Sequence, residues 1–222
     1  MRYVLSRVLA ALLFGAVLFA SARRLDWPGA WLYLAVVLLG EITSGAVLQA
    51  LDPEVLRARA RLWRPDTRRF ERVILPLWLV VGYAAGVVAG LDARRPGWSP
   101  LPSGWTWPGL VLMASGYALA TWAMAVNAFF ELTVRIQTDR GQRVITSGPY
   151  RIVRHPGYLA ALLGAVAAPL LVGSAWMFAP TSVLVALFAI RTALEDRTLQ
   201  RELPGYRAYA ERTRWRLVPG VW

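Results

Sequence analysis

The residues best suited to chemistry lie in one short stretch, Gly148-Pro149-Tyr150-Arg151-Ile152-Val153-Arg154-His155-Pro156-Gly157-Tyr158. It contains the only histidine of the chain, and it is held by prolines at 149 and 156. Proline fixes φ, so such a segment loses little entropy when a ligand orders it. Because His155 directly precedes Pro156, we expect a helix to begin there, and the free N–H groups of a helix start favour an anionic group. The stretch predicts a binding site.

Acidic residues further along the chain provide the opposite charge. Glu195 and Asp196 are adjacent, and Arg191 lies one helical turn before Glu195. One interpretation is an ordinary helical ion pair between Arg191 and Glu195, worth about 0.2–0.5 kcal/mol. The other is a pocket for a zwitterion, in which His155 or Arg154 receives a carboxylate and Glu195 or Asp196 receives an ammonium group. The charges alone leave both interpretations open.

The composition is that of a membrane protein. The chain has 222 residues, of which 57% are hydrophobic, and its mean hydropathy is +0.43. All 25 basic residues are arginines, and the net charge is +12. Basic residues between apolar segments more often record membrane orientation than contacts with nucleic acid, so we expect no nucleic-acid partner. The absence of cysteine excludes disulfides and thiol nucleophiles, and a single histidine argues against a metal site.

The apolar segments predict an all-α, polytopic membrane bundle of six spans, the last two forming a helical hairpin. The spans are expected at about 3–22, 31–51, 73–91, 109–130, 158–172 and 175–190. Pro169, Gly173, Ser174 and Pro180 are expected to divide the hairpin. Residues 1–130 would form four helices with a basic interfacial segment at 52–72, and residues 131–222 a catalytic region with a helical tail broken at Pro204.

Arginine placement predicts the orientation. With both termini in the cytoplasm, 21 arginines lie on the cytoplasmic side and 4 outside, as the positive-inside rule requires. A cleavable signal peptide at the N-terminus is the alternative to a retained first helix. Glu41 lies within the second span, where a charge faces protein or a cavity, so it is either an interhelical partner or a pocket group.

The run Gly148-Pro149-Tyr150-Arg151 followed by Arg154-His155-Pro156-x-Tyr158 resembles the signature of isoprenylcysteine carboxyl methyltransferases and their bacterial relatives, which include phospholipid N-methyltransferases. The second half of that signature is similar to a pattern near the C-terminus, formed by Arg191, Glu195, Asp196, Leu199, Gly205, Tyr206 and Tyr209. The resemblance covers about 137–219. Three departures accompany it: Asp196 replaces a second glutamate, Ala160 replaces a common glycine, and the interval before the tyrosines is one residue shorter.

The resemblance implies an integral membrane enzyme, expected in a bacterial inner membrane, that binds S-adenosylmethionine in a cytosolic pocket closed by the tail. A lipophilic acceptor, most simply a carboxylate of the isoprenylcysteine type, would enter laterally from the membrane lipids. The cofactor contacts that it implies are Tyr150, His155, Tyr158, Arg191, Glu195 and Asp196. Arg154 and Arg212 would serve catalysis by holding a substrate carboxylate.

Two other functions share some of these features. Membrane reductases of the sterol-reductase type that use NADPH also carry an Arg-His-Pro-x-Tyr element, although the acidic pair favours methyl transfer. A nonenzymatic lipid-binding membrane protein could retain the same fold. The sequence does not fix the acceptor or the oligomeric state.

Overall fold

The computed structural model describes residues 2–60, 64–94 and 100–222. Within these residues the chain is helical, and its one β-type contact is an isolated bridge between Pro100 and Ser174. The α-helices are α1 (Arg2–Ala22), α2 (Pro28–Leu51), α3 (Pro53–Arg59), α4 (Glu71–Arg94), α5 (Thr106–Val126), α6 (Pro156–Val172), α7 (Phe178–Glu202) and α8 (Tyr206–Arg212).

Six long helices form a closed ring. Going round it, α1 packs on α2, α2 on α5, α5 on α6, α6 on α7, α7 on α4, and α4 on α1. Five of these helices are long and apolar enough to cross a membrane, and α6 is a shorter apolar helix of 17 residues. The expected all-α, polytopic bundle of about six helices is therefore confirmed.

The helix directions bring the connecting segments that carry polar residues to one end of the ring. The N-terminus, α3, the connector at 127–155 and the segment after α7 all lie at this end, which we call the motif end because it includes Gly148–Tyr158. The basic segment predicted at 52–72 begins there with α3; its residues 61–63 lie outside the described part of the chain.

The opposite end of the ring is filled by side chains. Leu18, Ala22, Trp27, Ala89 and Val172 belong to one buried cluster, and the indole Nε1 of Trp27 donates a hydrogen bond of 3.0 Å to the carbonyl of Val172. A glycine at position 29 permits this approach, because a Cβ there would lie 2.8 Å from the carbonyl oxygens of residues 171 and 172. This end is a packed core.

The hairpin differs in detail from the prediction. Pro169 lies inside α6 and Pro180 lies in the first turn of α7, so neither divides the hairpin; the turn is formed by Gly173, with φ +77°, and the residues up to Met177. Proline is tolerated in a first turn because the N–H groups there have no intrahelical partner.

Helix α7 is also longer than predicted. It does not end near Ile190 but continues to Glu202, so Glu195 and Asp196 belong to the spanning helix rather than to a separate tail. The predicted break at Pro204 is confirmed, since α7 ends at Glu202 and α8 begins at Tyr206. The continuation fixes the acidic pair relative to the membrane-spanning part of the ring.

Candidate functional site

The ring encloses a cavity of about 550 Å³ that extends from the motif end into the bundle. Its wall at the motif end is polar and aromatic, whereas further inside it is formed by residues such as Met113, Gly164, Ala168 and Leu184. Six of the eight predicted site residues line it, and these are Tyr150, Arg154, His155, Tyr158, Arg191 and Glu195. One cavity therefore combines a polar end with an interior that is mostly apolar.

Asp196 does not line this cavity but organises the residues behind its wall. Its carboxylate has no solvent exposure and accepts hydrogen bonds from Arg154, through Nε at 2.8 Å and Nη2 at 3.0 Å. It accepts further bonds from Gln200 Nε2 at 2.8 Å, Tyr206 Oη at 3.0 Å and Arg216 Nε at 2.9 Å. Both carboxylate oxygens are thus occupied by the protein, which leaves no acceptor for a ligand.

All three guanidinium nitrogens of Arg154 likewise form hydrogen bonds within the protein. Its Nη1 donates to the carbonyls of Thr213 and Arg214, both at 2.8 Å, while the other two nitrogens donate to Asp196. The expected role of Arg154 in holding a substrate carboxylate does not match this geometry, because the guanidinium is already neutralised and bonded. His155 Nε2 also lies 3.2 Å from Asp196 Oδ1, so Asp196 positions two consecutive residues of the motif.

The segment after α8 folds back on the motif. The backbone N–H of Arg154 donates to the carbonyl of Trp215 at 2.9 Å, and the N–H of His155 donates to the carbonyl of Arg216 at 3.0 Å. Tyr209 Oη donates to the carbonyl of Tyr150 at 2.7 Å. The tail therefore covers the polar end of the cavity, as the sequence predicts.

Glu195 is the acidic residue of the pair that faces the cavity. Its carboxylate accepts a short hydrogen bond from Tyr158 Oη, and no arginine of the described segments forms an ion pair with it. The helical pair with Arg191 is not formed. Arg191 instead reaches α4, where its Nε lies 2.8 Å from Glu71 Oε1 and its Nη2 lies 3.1 Å from Oε2. The Glu195 carboxylate therefore lies at the cavity wall without an ion-pair partner among the described residues.

Arg191 also orders the aromatic ring above Glu195. Its guanidinium carbon lies 5.2 Å from the ring centroid of Tyr158, and Glu71, its ion-pair partner, is fully buried. A neutralised arginine over an aromatic face stabilises the ring orientation. Arg191 thus lies at the cavity wall with its charge compensated.

Arg212 lies outside the cavity. Its side chain is exposed, and its Nε makes a bond of 3.3 Å to the carbonyl of Ala208 within α8. The structure does not bring it to the other predicted site residues, because the face of α8 that packs inward carries Tyr206 and Tyr209.

The connector between α5 and the motif contributes polar residues that the sequence patterns do not single out. Asn127 Nδ2 donates to Tyr150 Oη at 2.8 Å, and Gln137, which is 2% exposed, donates through Nε2 to the carbonyl of Phe129 at 2.7 Å. Arg143 and Gln142 line the cavity, and Arg143 has no ion-pair partner among the described residues. Isolated polar residues in an irregular segment give no periodic signal, so only the structure reveals them.

Ion pairs of one arginine with three carboxylates stabilise the connector. The guanidinium of Arg135 lies 2.7 Å from both Glu131 and Asp139 and 2.9 Å from Asp66. Its hydrogen bond with Glu131, which outweighs the effect of burial, raises the pKa of Arg135, and the same guanidinium lowers the pKa of Asp139. The segment is therefore a folded wall.

Burial controls ionisation of the tyrosines at this end. It raises the pKa of Tyr150 and of Tyr206 well above the usual range, and that of Tyr209 to about 12. All three hydroxyls therefore remain neutral at physiological pH: those of Tyr206 and Tyr209 donate to Asp196 and to the carbonyl of Tyr150, while that of Tyr150 accepts from Asn127.

A second charged group lies deeper in the cavity. Arg7 of α1 donates to Glu41 Oε1 through Nη2 at 2.9 Å and Nε at 3.2 Å, and Tyr117 Oη lies 3.3 Å from the same oxygen. All three residues line the cavity. Glu41 therefore forms an ion pair between helices and also lines the cavity. Both roles that the sequence offered for it, interhelical partner and pocket group, apply.

Metal binding has no candidate cluster in the described ranges 2–60, 64–94 and 100–222: no three histidine, cysteine, aspartate or glutamate side chains converge there. The polar end of the cavity instead presents a mixture of arginine, amide, tyrosine and carboxylate groups.

Comparison with known proteins agrees with this architecture. The chain is 34% identical over 172 residues to the cobalt-zinc-cadmium resistance protein CzcN of Cupriavidus metallidurans; the match covers 74% of this chain and 66% of CzcN, just under two thirds of that protein's length. Residues 109–201, which contain α5, the motif and most of α7, match the isoprenylcysteine carboxyl methyltransferase (ICMT) family. This match supports an ICMT-like family, as the motifs of the chain predict.

Proposed function

We propose that this protein transfers the methyl group of S-adenosylmethionine to a lipophilic acceptor, most simply a carboxylate of the isoprenylcysteine type. The observation that carries the proposal is the carboxylate of Glu195, which forms no ion pair with the described residues and lies at the polar end of a cavity whose interior is mostly apolar. Membership of the ICMT-like family supports a membrane methyltransferase. We further propose that residues 131–222 supply most of the cofactor pocket.

The residues at the polar end fit S-adenosylmethionine. Its ammonium and sulfonium groups are cationic and suit the Glu195 carboxylate and the nearby ring of Tyr158, while its carboxylate suits the unpaired guanidinium of Arg143 and the amide of Gln142. Tyr150 and His155 complete this wall, and Asp196 and Arg154 position them from behind. We propose that the wall residues contact the cofactor directly. Asp196 and Arg154 would only position them.

When bound, S-adenosylmethionine supplies an electrophilic methyl group: the C–S bond breaks with its electrons staying on sulfur, and a carboxylate oxygen forms the new ester bond without releasing a proton. This chemistry needs no general base, so the protein contributes chiefly by orientation and charge. The buried side chains of Tyr150, Tyr206 and Tyr209 and the folded-back tail cover part of that end.

We propose that the acceptor enters between α1 and α4. These helices touch where Gly86 and Gly90 face α1, since a Cβ at Gly90 would lie 2.5 Å from Ser21 Cβ. Gly82, one turn closer to the motif end on the same face, would meet nothing within 4 Å, and it lines the cavity. The space beside Gly82 therefore belongs to the cavity and adjoins the contact between α1 and α4, and we propose it as the opening for a chain from the bilayer.

The proposed location is a bacterial inner membrane with the motif end in the cytoplasm. The arginine distribution supports it, because the loops at the motif end carry most of the arginines. S-adenosylmethionine is a soluble metabolite that would reach the polar end directly from that side.

The test is ligand stabilisation of the detergent-purified protein. A ligand that binds only the native state at 100 times its dissociation constant stabilises it by about 2.7 kcal/mol. We expect S-adenosylhomocysteine to raise the melting temperature and NADPH to have no effect. Stabilisation by NADPH alone would favour a reductase, and stabilisation by neither would favour a nonenzymatic lipid-binding protein. Transfer of labelled methyl groups into a membrane extract would then identify the acceptor.

A further inference from the structure

We propose that Arg59 binds the anionic head group of the acceptor, a carboxylate, at the membrane-facing side of the motif. The inference rests on the proposed function and extends it by naming the residue that selects the acceptor. Arg59 ends α3, a helix that belongs to neither half of the sequence signature. Its side chain lines the cavity.

The charges of the cavity wall single out Arg59. Six arginines line the cavity: Arg7, Arg59, Arg135, Arg143, Arg154 and Arg191. Four of them form ion pairs with carboxylates of the protein, whereas Arg59 and Arg143 form none with the described residues. Arg143 lies in the connector beside the groups proposed for the cofactor, which leaves Arg59 as the uncompensated cation for a second ligand.

The guanidinium of Arg59 is held in place by uncharged groups. Its Nε donates to Tyr3 Oη at 3.0 Å, and its carbon lies 5.3 Å from the ring centroid of Tyr3 and 4.9 Å from that of Phe130. These contacts use one of its three nitrogens, and the Nη1 and Nη2 edge has no hydrogen-bond partner among residues 2–60, 64–94 and 100–222. That edge is the fork that binds a carboxylate through two parallel hydrogen bonds.

Phe130 connects Arg59 to the motif. Its ring packs on Gly157, because a Cβ built on that glycine would lie 2.4 Å from Phe130 Cζ. Gly157 belongs to the first turn of α6, directly after His155 and Pro156. Arg59 is therefore separated from the motif by one aromatic ring, and a head group on its free edge lies beside the proposed cofactor site.

The position of α3 suits an amphiphile. The helix follows α2 at the motif end, and its cavity-facing side joins the same space as Arg7, Glu41 and the apolar wall. A molecule with its head on Arg59 can extend its chain into the bundle. Methylation of the carboxylate removes its charge, so the ester product loses the ion pair with Arg59 and binds more weakly.

The experiment compares binding of three probes: a farnesyl thioether with an acetic acid head, its methyl ester, and farnesyl phosphate. Thermal stabilisation is measured for the full chain in detergent, together with stabilisation by S-adenosylhomocysteine. We expect the wild-type protein to prefer the acid over the ester, and Arg59→Gln to weaken binding of the acid roughly 10–100-fold while binding the ester normally. Arg57→Gln is the matched control, because Arg57 is exposed on the same helix and pairs with Glu54.

Arg59→Lys keeps the charge but not the fork, so it should recover only part of the affinity; it also serves if Arg59→Gln fails to fold. Equal binding of the acid by wild-type protein and both Arg59 variants would overturn the inference, as would a wild-type protein that prefers the ester or the phosphate. These results are separable from the proposed function. If S-adenosylhomocysteine does not bind but the acid binds through Arg59, the methyltransferase proposal fails and the head-group site stands.

Discussion

The guanidinium of Arg154 and the carboxylate of Asp196 form a buried, bidentate pair, with Nε–Oδ1 at 2.8 Å and Nη2–Oδ2 at 3.0 Å. The pair joins the motif to α7, and the carbonyls of Thr213 and Arg214 attach the tail to the same guanidinium. Three segments that are distant in sequence therefore meet at one ion pair. Its loss should affect folding rather than chemistry alone.

Replacing Asp196 by Asn should destabilise the protein by roughly 3–5 kcal/mol, because removing one partner leaves the buried Arg154 uncompensated. Thermal or denaturant unfolding in detergent measures the loss. Arg197→Gln is a suitable control, since that neighbouring side chain is exposed. Wild-type stability in Asp196→Asn would contradict the structural role of this carboxylate.

Replacing Glu195 by Gln should leave stability nearly unchanged and weaken binding of S-adenosylhomocysteine roughly 10–100-fold. Glu195 has no ion pair within the described residues, so its neutralisation leaves no orphaned partner there. Calorimetry or ligand-induced stabilisation measures the affinity. Trp105→Phe, an exposed residue at the opposite end, should bind normally. Equal losses in the two variants would show that folding, rather than a pocket, was measured.

Replacing Gly157 by Ala should reduce methyl transfer strongly. The new Cβ would lie 2.4 Å from Phe130 Cζ, and the ring must move away from Arg59 to make room. Steady-state kinetics with the preferred acceptor should show the loss. Gly104→Ala offers the comparison, since a Cβ there meets nothing within 4 Å. Unchanged kinetics in Gly157→Ala would refute the role of the Phe130 ring.

Replacing Gly82 by Phe should raise the KM for the lipophilic acceptor while the affinity for S-adenosylhomocysteine stays constant, because the ring narrows the proposed opening between α1 and α4. Gly82→Ala should behave like the wild type, since its Cβ meets nothing within 4 Å. Acceptor titration at saturating cofactor separates these effects. An unaltered KM in Gly82→Phe would contradict the proposed entrance between α1 and α4.

Stability should fall as pH rises above 10. Burial raises the pKa of Tyr209 from 10.0 to about 12, so the unfolded chain loses this proton first and is favoured progressively between those values. Melting temperatures should therefore be independent of this group from pH 7 to 9 and decrease from about pH 10 to 12. Tyr209→Phe should show a shallower decrease, and an identical pH profile would contradict the assignment.

The fold could be predicted from the sequence because membrane spans depend on local composition. Apolar length located all six helices, and Pro156 marked the start of α6 after His155. The end of α7 was missed because the polar residues after Ile190 resemble a tail, whereas packing against the motif and α4 continues the helix to Glu202. Hydropathy predicts which residues contact lipid, but it does not predict which polar residues continue a helix by packing against other parts of the protein.

The site was only partly predictable, because partner choice depends on distant residues. The helical spacing allowed an ion pair between Arg191 and Glu195. In the structure Arg191 instead pairs with Glu71, which is 120 positions away. Motif spacing likewise grouped Arg212 with the site, although its side chain points to solvent. Arg59 and Arg143 lie in the predicted basic segment and in the connector, where nothing in the sequence distinguishes them from the neighbouring arginines; only a comparison of the ion pairs around the cavity does so.

The packed end of the ring, where the Trp27 indole binds the carbonyl of Val172, has a consequence for the energetics of the cell. Under the proposed function, the protein binds a charged metabolite from one side and a lipid from the bilayer, and it must do so without conducting ions. The buried apolar cluster at the far end offers no polar path to ions that enter the cavity from the motif end, within the part of the chain that the structure describes. This packing would let the proposed enzyme bind its ligands without dissipating the electrochemical gradient across the membrane.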